Sequence, residues 1–355
     1  MVDSESQSSL RVALLMPSLN EAATVGAAMA SIRASTRLPD EIIVIDGGST
    51  DGTERLLHDC AASGMPVRFL LRPGMLPGAA RNEGAKNSEC DVLLFLDFGN
   101  VIDSHWIEEM ARPFEADPRI EAVGGLYEPL MTNDFEYCVA AIQYHDATLF
   151  AGLSRDEQLA RVPGKIRLGG LGMAVRRDTF LRLGGQPHWL RAGEDWLFGQ
   201  KLLDSEAPVG VALGARLYHH MRPTPGDLFR QNRLYSRGEA RLGIGLAAHL
   251  RRLLIYGLVL AIFASGLFWW PLLFVGAALV IAYLQHVGAA RMQRVFGGDA
   301  TRGRLGLLSL AVVTKDLGAL TGYAWGAWEW LSQPHWRDER RRYMTAGWSP
   351  ETTRT

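Results

Sequence analysis

The sequence predicts an α/β protein with a mostly parallel central sheet, followed by C-terminal membrane helices. Short apolar runs alternate with stretches of helical spacing through the first hundred residues, and the runs are almost continuously apolar. Strands of this kind are buried on both faces, as in parallel sheets that are covered by helices. Residues 253–290, by contrast, contain no Asp, Glu, Lys or Arg. An uncharged stretch of this length predicts helices that span a membrane.

The elements of the sheet follow one another in a regular order. Strands are predicted at 11–16, 41–45, 67–71, 91–96 and 209–217, and helices at 21–35, 51–62 and 79–88. The second strand is Glu-Ile-Ile-Val-Ile and runs directly into the turn sequence Asp46-Gly47-Gly48. Because ligands bind beyond the carboxyl ends of the strands in such sheets, we expect the functional site at that edge.

Composition limits the class of protein. The chain has 355 residues, enough for more than one folding unit. Its 37 Lys and Arg against 38 Asp and Glu give a net charge of -1, which argues against a nucleic-acid binder. Cys60, Cys90 and Cys138 are scattered and odd in number, so neither a disulfide framework nor a cysteine metal site is expected. A reducing compartment fits this pattern.

Acidic and amide side chains follow three of the predicted strands. Asn20, Asp46 and Asp97 come at or just after strand ends, where a ligand would lie. The alternative is that these residues cap turns and helices, and it applies equally to Ser49 and Asp51. The first strand is not followed by G-x-G-x-x-G, and G-x-x-x-x-G-K is absent, which disfavours a dinucleotide fold and a P-loop enzyme.

Four segments resemble the family 2 glycosyltransferases, which have the GT-A fold. They are Pro-Ser-Leu-Asn-Glu at 17–21, Ile-Asp-Gly-Gly-Ser-Thr-Asp-Gly-Thr at 45–53, Gly-Ala-Ala-Arg-Asn at 78–82 before Phe95-Leu96-Asp97, and Gly-Glu-Asp-Trp at 193–196. The resemblance covers roughly residues 10–240, and the four motifs occur in the family's order. It implies a nucleotide-sugar donor, with the base held by Asp46 and the diphosphate near Arg81. The implied donor-binding residues are Pro17, Asn20, Glu21, Asp46, Gly48, Arg81 and Asp97.

The resemblance also implies a divalent cation, Mg²⁺ or Mn²⁺, against the diphosphate. Asp97 matches the first acid of the family's D-x-D, but Gly99 stands where the second acid belongs. Asn100 and the late histidine His219 are the remaining candidate ligands, and they would make a poorer site for a hard cation. The missing acid therefore puts metal dependence in doubt.

The catalytic residues implied by the resemblance are Asp195 and Glu194. Asp195 resembles the general base that takes the proton of the acceptor hydroxyl during an inverting displacement. The alternative is that the two acids merely begin a helix, where the macrodipole favours them. Candidate contacts to the diphosphate or acceptor are Trp196, His220, Arg230 and Arg233. A solvated basic face is the alternative for the arginines.

The segment 230–235 resembles the Gln-x-x-Arg-Trp of chain-elongating members but lacks the Arg and Trp at the required spacing. This difference favours one transfer per encounter over processive polymerisation.

The C-terminal region predicts a helical hairpin in the membrane. Residues 253–270 and 271–287 are each near the lower limit of about 17 residues for a crossing, with Trp269, Trp270 and Pro271 at the join. Arginines precede and follow the pair, which predicts that both ends face the cytoplasm. A single long buried helix is the alternative.

Residues 303–332 are apolar but carry Lys315-Asp316 near the middle, which is costly in a lone crossing. We expect an interfacial or re-entrant helix there. Gly318, Gly322 and Gly326 fall four residues apart and predict close helix packing. A loosely amphipathic surface helix is the alternative.

The predicted order of domains is a flexible N-terminus (1–10), the GT-A domain (11–240), a basic juxtamembrane helix (241–252), a transmembrane hairpin (253–290), the interfacial or re-entrant helix (303–332) and a polar cytoplasmic tail (333–355). The acidic, Ser-rich start predicts no signal peptide.

The sequence as a whole predicts an inverting, hexosyltransferase-like enzyme of a bacterial inner (plasma) membrane, multi-pass, with its catalytic domain in the cytoplasm. Its expected partners are a UDP- or GDP-sugar, a lipid-linked or glycan acceptor and membrane lipids, in envelope polysaccharide or glycolipid synthesis. A non-catalytic nucleotide-sugar-binding subunit and a nucleotidyltransferase of the same fold remain the alternatives.

Overall fold

The computed structural model describes residues 10–143, 172–284, 286, 292 and 303–345. Two compact units emerge. The sheet unit comprises the described residues within Met1–Glu128, Leu153–His219 and Tyr343–Thr355. The helical unit comprises those within Pro129–Gly152 and His220–Arg342. The division differs from the predicted boundary at residue 240, because residues 129–143 and 220–240 belong to the helical unit.

One eight-stranded sheet forms the centre of the sheet unit. Its strands are β1 (Val12–Ser18), β2 (Glu41–Asp46), β3 (Val67–Leu71), β4 (Val92–Phe95), β5 (Asn100–Ile102), β6 (Ala122–Leu130), β7 (Met173–Arg176) and β8 (Val209–His220). The spatial order is β3-β2-β1-β4-β7-β6-β8-β5. The first four strands pair in parallel, as predicted, and β7 joins β4 antiparallel. The mixed α/β sheet confirms the predicted fold class.

Strand register places the polar strand ends on one edge of the sheet. Ser18 at the end of β1 lies opposite Asp46 at the end of β2, and Leu15 lies opposite Phe95 of β4. Asp97 follows β4 by two residues, so it emerges at the same edge. Because β1 separates the two strands, Asp46 and Asp97 stand about 10 Å apart by strand spacing.

Helices cover both faces of the sheet. They are α1 (Ala22–Arg33), α2 (Thr53–Ala62), α3 (Pro77–Asn87), α4 (Trp106–Ala116), α6 (Arg177–Arg182) and α7 (Glu194–Asp204). Successive residues of β1 contribute to opposite cores: Leu14 packs with Met29 and Trp106, whereas Leu15 packs with Phe95 and Phe180. Burial on both faces explains the uninterrupted apolar runs in the strands.

The helical unit contains α5 (Asp134–Gln143), α8 (Pro225–Arg241), α9 (Leu246–Gly266), α10 (Pro271–Leu284) and α11 (Leu305–Ser332). A final helix, α12 (His335–Thr345), was not predicted and occupies part of the expected polar tail. The chain also contains no separate helix at 241–252. Instead α8 ends at Arg241, Gly243 and Gly245 adopt positive φ values of 67° and 80°, and α9 begins at Leu246.

In the part of the chain that the structure describes, two helices are long and apolar enough to cross a bilayer by length and composition. They are α9 with 21 residues and α11 with 28 residues. The described part of α10 has 14 residues, below the about 17 that a crossing requires. The predicted two-crossing hairpin is therefore not supported in the described residues. Trp269 and Trp270 at the join are exposed, and their interfacial position stays a prediction.

The charged residues in the middle of α11 do not pair with each other. Asp316 is buried and accepts hydrogen bonds from Tyr256 of α9 at 3.0 Å and Tyr283 of α10 at 2.5 Å. Arg252 of α9 lies 3.2 Å from the other carboxylate oxygen. Lys315 donates to the Ile142 carbonyl at 3.3 Å. Asp316 thus ties three helices together, which offsets the cost of its burial.

The glycine ridge of α11 packs directly on the backbone of α8. A Cβ atom built on Gly322 would lie 2.1 Å from the carbonyl oxygen of Arg233, and one on Gly326 would lie 2.4 Å from that of Arg237. Even a methyl group does not fit there without moving the helices apart. The predicted role of the ridge in close packing is confirmed, and its partner is α8.

Gly322→Ala is expected to lower the free energy of unfolding by about 1–3 kcal/mol, because the new methyl group overlaps the Arg233 carbonyl. Gly306→Ala in the same helix is the matched control, since nothing lies within 4 Å of its Cβ position. Alanine favours a helix over glycine by about 1 kcal/mol, so the control should be neutral or stabilising. Thermal unfolding of the detergent-solubilised chain measures both, and equal melting temperatures would contradict the packing described.

Candidate active site

Arg81 is the centre of the candidate site. It lies in the second turn of α3, and only 3% of its side chain is exposed. One terminal nitrogen donates to Asp97 Oδ1 at 2.8 Å. The other donates to Glu194 Oε1 at 3.1 Å and to Gln186 Oε1 at 3.0 Å. Three segments that are distant in sequence therefore meet at one guanidinium group.

The charge on Arg81 is held by its neighbours. Burial alone would lower the pKa of Arg81, but Asp97, Glu194 and Asp195 outweigh burial and raise the pKa above its usual value. Arg81 is thus a fixed cation beside three carboxyl groups. Its Nε and the Nε2 of Gln186 are buried and have no hydrogen-bond partner among the described residues. Buried donors of this kind are normally satisfied, so a water or a ligand oxygen is expected there.

The turn that carries Gln186 is clamped by Asn82. The Asn82 carboxamide accepts from the Gln186 N–H at 2.8 Å and donates to the Gln186 carbonyl at 2.7 Å. Gly185 has φ +66°, and a Cβ on it would lie 2.2 Å from Asn82 Oδ1, so only glycine fits. Sequence reasoning missed Gln186, whose Arg81 partner is 105 residues away in the chain.

Glu194 and Asp195 begin α7, after Gly193 with φ 87°. Burial, and then the charge of Asp195, raise the pKa of Glu194 to about 7, although Arg81 opposes the shift. Asp195 is partly exposed and its Oδ1 accepts from the Trp196 N–H at 2.7 Å. The helix N-terminus favours both carboxylates electrostatically. The pair therefore combines one buried acid against Arg81 with one acid that retains access to solvent.

The raised pKa of Glu194 has a consequence for stability. Native Glu194 keeps its proton up to a pH of about 7, whereas the unfolded chain loses it near 4.5. The native state binds more protons between these values, so this group destabilises the fold as pH rises through the window.

Glu194→Gln should lose less stability than the wild type between pH 5 and 7.5 in chemical unfolding. Glu89→Gln, at an exposed position, should show the same pH dependence of stability as the wild type. Equal pH dependence in the wild type and both variants would contradict the raised pKa of Glu194.

Asp46 is buried at the end of β2 and holds its own turn together. Its carboxylate accepts from the N–H groups of Gly48 at 2.8 Å and Ser49 at 2.6 Å, and from the Ser49 hydroxyl at 2.6 Å. Burial alone would raise the pKa of Asp46, but these hydrogen bonds together lower it. Asp46 is thus ionised. The structure gives it a turn-forming role, and its contact with a nucleotide base stays a prediction.

The loops after β1 and β2 are joined by hydrogen bonds. Asn20, with φ 58°, donates its N–H to the Ser49 hydroxyl at 2.7 Å and accepts from the Thr50 N–H at 2.9 Å. The Glu21 N–H donates to Thr53 Oγ1 at 2.9 Å. Pro17 lies within β1 opposite Ile45. Gly48 needs its glycine, because its φ is +100°. These contacts explain the loop residues structurally, and their predicted contacts with the donor remain untested.

Asn100 and His219 lie opposite each other on β5 and β8, and their side chains are 2.7 Å apart. The amide nitrogen of Asn100 donates to the Asp97 carbonyl at 3.0 Å. With His219 Nδ1–H donating to Asn100, the lone pair of the imidazole is on Nε2, the arrangement of a metal-binding histidine. Asn100 is thus placed to orient His219. In the described residues, no group of three or more His, Cys, Asp or Glu is arranged to hold a metal ion.

The remaining predicted contacts lie in different places. Trp196 follows Asp195 in α7 and is partly exposed. His220 and the arginines belong to the helical unit. Arg230 pairs with Asp227 at 2.7 Å, and Arg233 stacks over the Trp325 ring at 4.9 Å. Their contacts with a diphosphate or acceptor stay predictions. The sequence also offers Tyr144, His145 and Asp146 as acceptor contacts or as packing residues, and they lie outside the described residues.

Comparison with known proteins decides the family. Residues 13–177 match the model of "Glycosyl transferase family 2". Residues 13–177 form a family 2 glycosyltransferase domain, and the chain is a glycosyltransferase. This glycosyltransferase is 29% identical over 199 residues to an uncharacterized glycosyltransferase of Haemophilus influenzae, and the match covers 54% of this chain and 62% of that protein. It is 25% identical over 225 residues to the O-antigen chain rhamnosyltransferase RfbN of Salmonella typhimurium, covering 62% and 70% of the two chains.

Among solved structures, the glycosyltransferase is similar to glucosyl-3-phosphoglycerate synthase from Mycobacterium tuberculosis in complex with Mn²⁺, UDP and glucosyl-3-phosphoglycerate. The TM-score is 0.43 at 22% identity, and the match covers 61% of this chain and 74% of that chain. The glycosyltransferase spans less than two thirds of the length of the Haemophilus relative.

Proposed function

We propose that this glycosyltransferase moves a sugar, with inversion, from a UDP- or GDP-sugar to a hydroxyl of a lipid-linked or glycan acceptor. The observation that carries the proposal is the contact of Arg81 with both Asp97 and Glu194, beside Asp195. The two buried donors of Arg81 and Gln186 that lack a partner in the described residues support an oxygen-rich ligand at this point. A diphosphate has the required acceptor oxygens.

In the proposed reaction Asp195 is the general base. Its carboxylate takes the proton from the acceptor hydroxyl while that oxygen attacks the anomeric carbon. A carbon–oxygen bond forms on one face, and the bond to the diphosphate oxygen breaks on the other. The electron pair leaves with the nucleoside diphosphate. Asp195 suits this role because it keeps solvent access, whereas Glu194 is buried against Arg81.

Arg81 and Glu194 have supporting roles in the proposal. The Arg81 cation offsets the charge that develops on the leaving diphosphate, and its pairing with two carboxylates fixes its position. Glu194 holds Arg81 in place and carries a pKa of about 7. Asp46, Asn20 and Gly48 shape the loop edge where the base would bind.

A divalent cation, Mg²⁺ or Mn²⁺, is part of the proposal. Asp97 and His219 are the residues that would hold it, with Asn100 orienting the imidazole through the 2.7 Å hydrogen bond. The ion would offset charge on the diphosphate. Two protein ligands are compatible with Mg²⁺, which keeps several of its waters.

The helical unit and the relatives support the proposed acceptor class. The apolar helices α9 and α11 weakly indicate membrane association, and a lipid-linked acceptor would then lie in the same membrane. Similar proteins include RfbN and the succinoglycan biosynthesis protein ExoA of Rhizobium meliloti, which is 24% identical over 239 residues. We therefore place the reaction in envelope polysaccharide or glycolipid synthesis, at the cytoplasmic face of the plasma membrane.

The test is to incubate the purified chain with a panel of UDP-, GDP- and dTDP-sugars and membrane lipid extract, with Mg²⁺, Mn²⁺ or EDTA. We expect release of a nucleoside diphosphate together with a labelled lipid product. Release of pyrophosphate would indicate a nucleotidyltransferase instead. Thermal stabilisation by a nucleotide sugar without any turnover would indicate the non-catalytic binding subunit.

A further inference from the structure

We infer that Tyr343, near the end of α12, is a positioning residue that clasps the glycine corner at Gly185 to α7, the helix that begins with the proposed catalytic acids. The inference rests on the proposed function of Asp195 and goes beyond it by adding a residue that the glycosyltransferase motifs do not contain. Tyr343 belongs to the sheet unit, although it is separated by 123 residues or more from the rest of that unit in the sequence. Its contacts fall on the glycine corner and on α7.

The hydroxyl group of Tyr343 donates to the carbonyl oxygen of Gly185 at 2.6 Å. Gly185 immediately precedes Gln186, whose side-chain oxygen accepts from Arg81. Asn82 holds the Gln186 backbone from the other side with two hydrogen bonds. The corner that orients Arg81 is therefore fixed by α3 on one side and by Tyr343 on the other.

The second contact is with Lys201 of α7. Lys201 is 7% exposed, and its ammonium group donates to the Tyr343 carbonyl at 2.5 Å. The same ammonium lies 4.4 Å from the centre of the Tyr343 ring, in a cation–π arrangement. Lys201 is seven residues, two helical turns, after Glu194, so the contact restrains the helix that begins with Glu194 and Asp195.

Burial makes both contacts costly to lose. Burial raises the pKa of the Tyr343 hydroxyl and lowers the pKa of Lys201. A buried ammonium or hydroxyl group needs a hydrogen-bond partner. The Lys201 ammonium donates to the Tyr343 carbonyl, and the Tyr343 hydroxyl donates to the Gly185 carbonyl. A side chain that only filled space would not need the hydroxyl group. The tyrosine therefore specifies the position of the glycine corner relative to α7, and with it the geometry of Arg81, Glu194 and Asp195.

The experiment measures sugar transfer and hydrogen–deuterium exchange in the full chain. Tyr343→Phe keeps the ring and the carbonyl but loses the bond to Gly185, and Tyr343→Ala also loses the cation–π contact. We expect kcat to fall about tenfold in the first and about 100-fold in the second, with the KM for the donor nearly unchanged, since small misplacements of reacting groups cost up to that factor. Faster exchange is expected within residues 185–204 in both variants.

Coupling and controls separate positioning from general destabilisation. Lys201→Met combined with Tyr343→Ala should lose less activity than the sum of the two single losses, because both substitutions remove the same cation–π contact. Arg342→Ala changes the exposed neighbouring residue of α12 and should keep wild-type kcat and exchange. Wild-type kcat in Tyr343→Ala would overturn the inference while leaving the proposed function intact. If the wild type transfers no sugar, hydrogen–deuterium exchange still tests the positioning role of Tyr343. Unchanged exchange within residues 185–204 in Tyr343→Ala would overturn that role.

Discussion

Asp195→Asn is expected to lower the rate of sugar transfer by a factor of about 10²–10⁴, the usual contribution of a general base. The amide has nearly the same shape as the carboxylate but cannot take the proton of the acceptor hydroxyl. Donor binding should change little, because the hydrogen bonds that hold Arg81 are made with Asp97, Glu194 and Gln186. Transfer is measured as release of nucleoside diphosphate, and donor affinity by calorimetry.

Asp204→Asn is the matched control, because Asp204 is exposed at the other end of the same helix and accepts a hydrogen bond from Gln200 at 3.0 Å. It should keep wild-type activity. Wild-type turnover in Asp195→Asn would remove Asp195 from the mechanism and leave the general base unassigned. A loss of donor affinity equal to the loss of rate would point to a binding role instead.

Arg81→Met should lower the free energy of unfolding by about 3–5 kcal/mol, the cost of removing one partner from a buried ion pair. The substitution keeps much of the volume but leaves Glu194 buried without its cation, together with the Gln186 carboxamide oxygen. Asp97 is less affected because 44% of its side chain is exposed. Chemical unfolding, followed by tryptophan fluorescence, measures the change.

Arg72→Met is the control for the loss of an arginine. Arg72 pairs with Glu83 at 2.8 Å, but 40% of its side chain is exposed, so its loss should cost less than about 1 kcal/mol. A similarly small loss of unfolding free energy in Arg81→Met would contradict the buried contacts of Arg81 with Glu194 and Gln186. Because loss of Arg81 raises the pKa of Glu194 further and protonated Glu194 is neutral, the deficit of Arg81→Met should be smaller below a pH of about 7 than above it.

The parallel half of the sheet was predictable because its signal is local. Strands β1 to β4 are unbroken apolar runs, and the observed strands begin and end within two residues of the predicted ones. The polar residues that follow them could be placed on one edge by the rule for parallel strands alone. The strand order then brings Asp46 and Asp97 to that edge.

The antiparallel half has no comparable signal. Strand β5 has three residues, and β6 contains Gly124 and Gly125, which weaken a strand pattern. Both depend on partners far away in sequence: Asn100 of β5 pairs with His219 of β8. A local reading therefore described Asn100 as a metal ligand, whereas its side chain contacts the opposite histidine.

Side-chain partners across long stretches of chain were also beyond a reading of the sequence. Nothing near Gln186 indicates that it meets Arg81, and nothing near Tyr343 indicates that it meets Gly185, 158 residues earlier. The partners of the charged residues in α11 were not predictable either. Lys315 and Asp316 are neighbours in sequence, but each finds its partner on another helix, so the cost expected for an unassisted span is offset.

The return of Tyr343 to the sheet unit matters for anyone who shortens this protein to make it soluble. A fragment that stops at Arg241 keeps all four glycosyltransferase motifs but discards Tyr343, the carbonyl to which Lys201 donates and the hydroxyl that reaches Gly185. Such a fragment would be a poor guide to the intact enzyme. A synthetic peptide with the sequence of His335–Thr345, added in trans, offers a way to restore what the truncation removes.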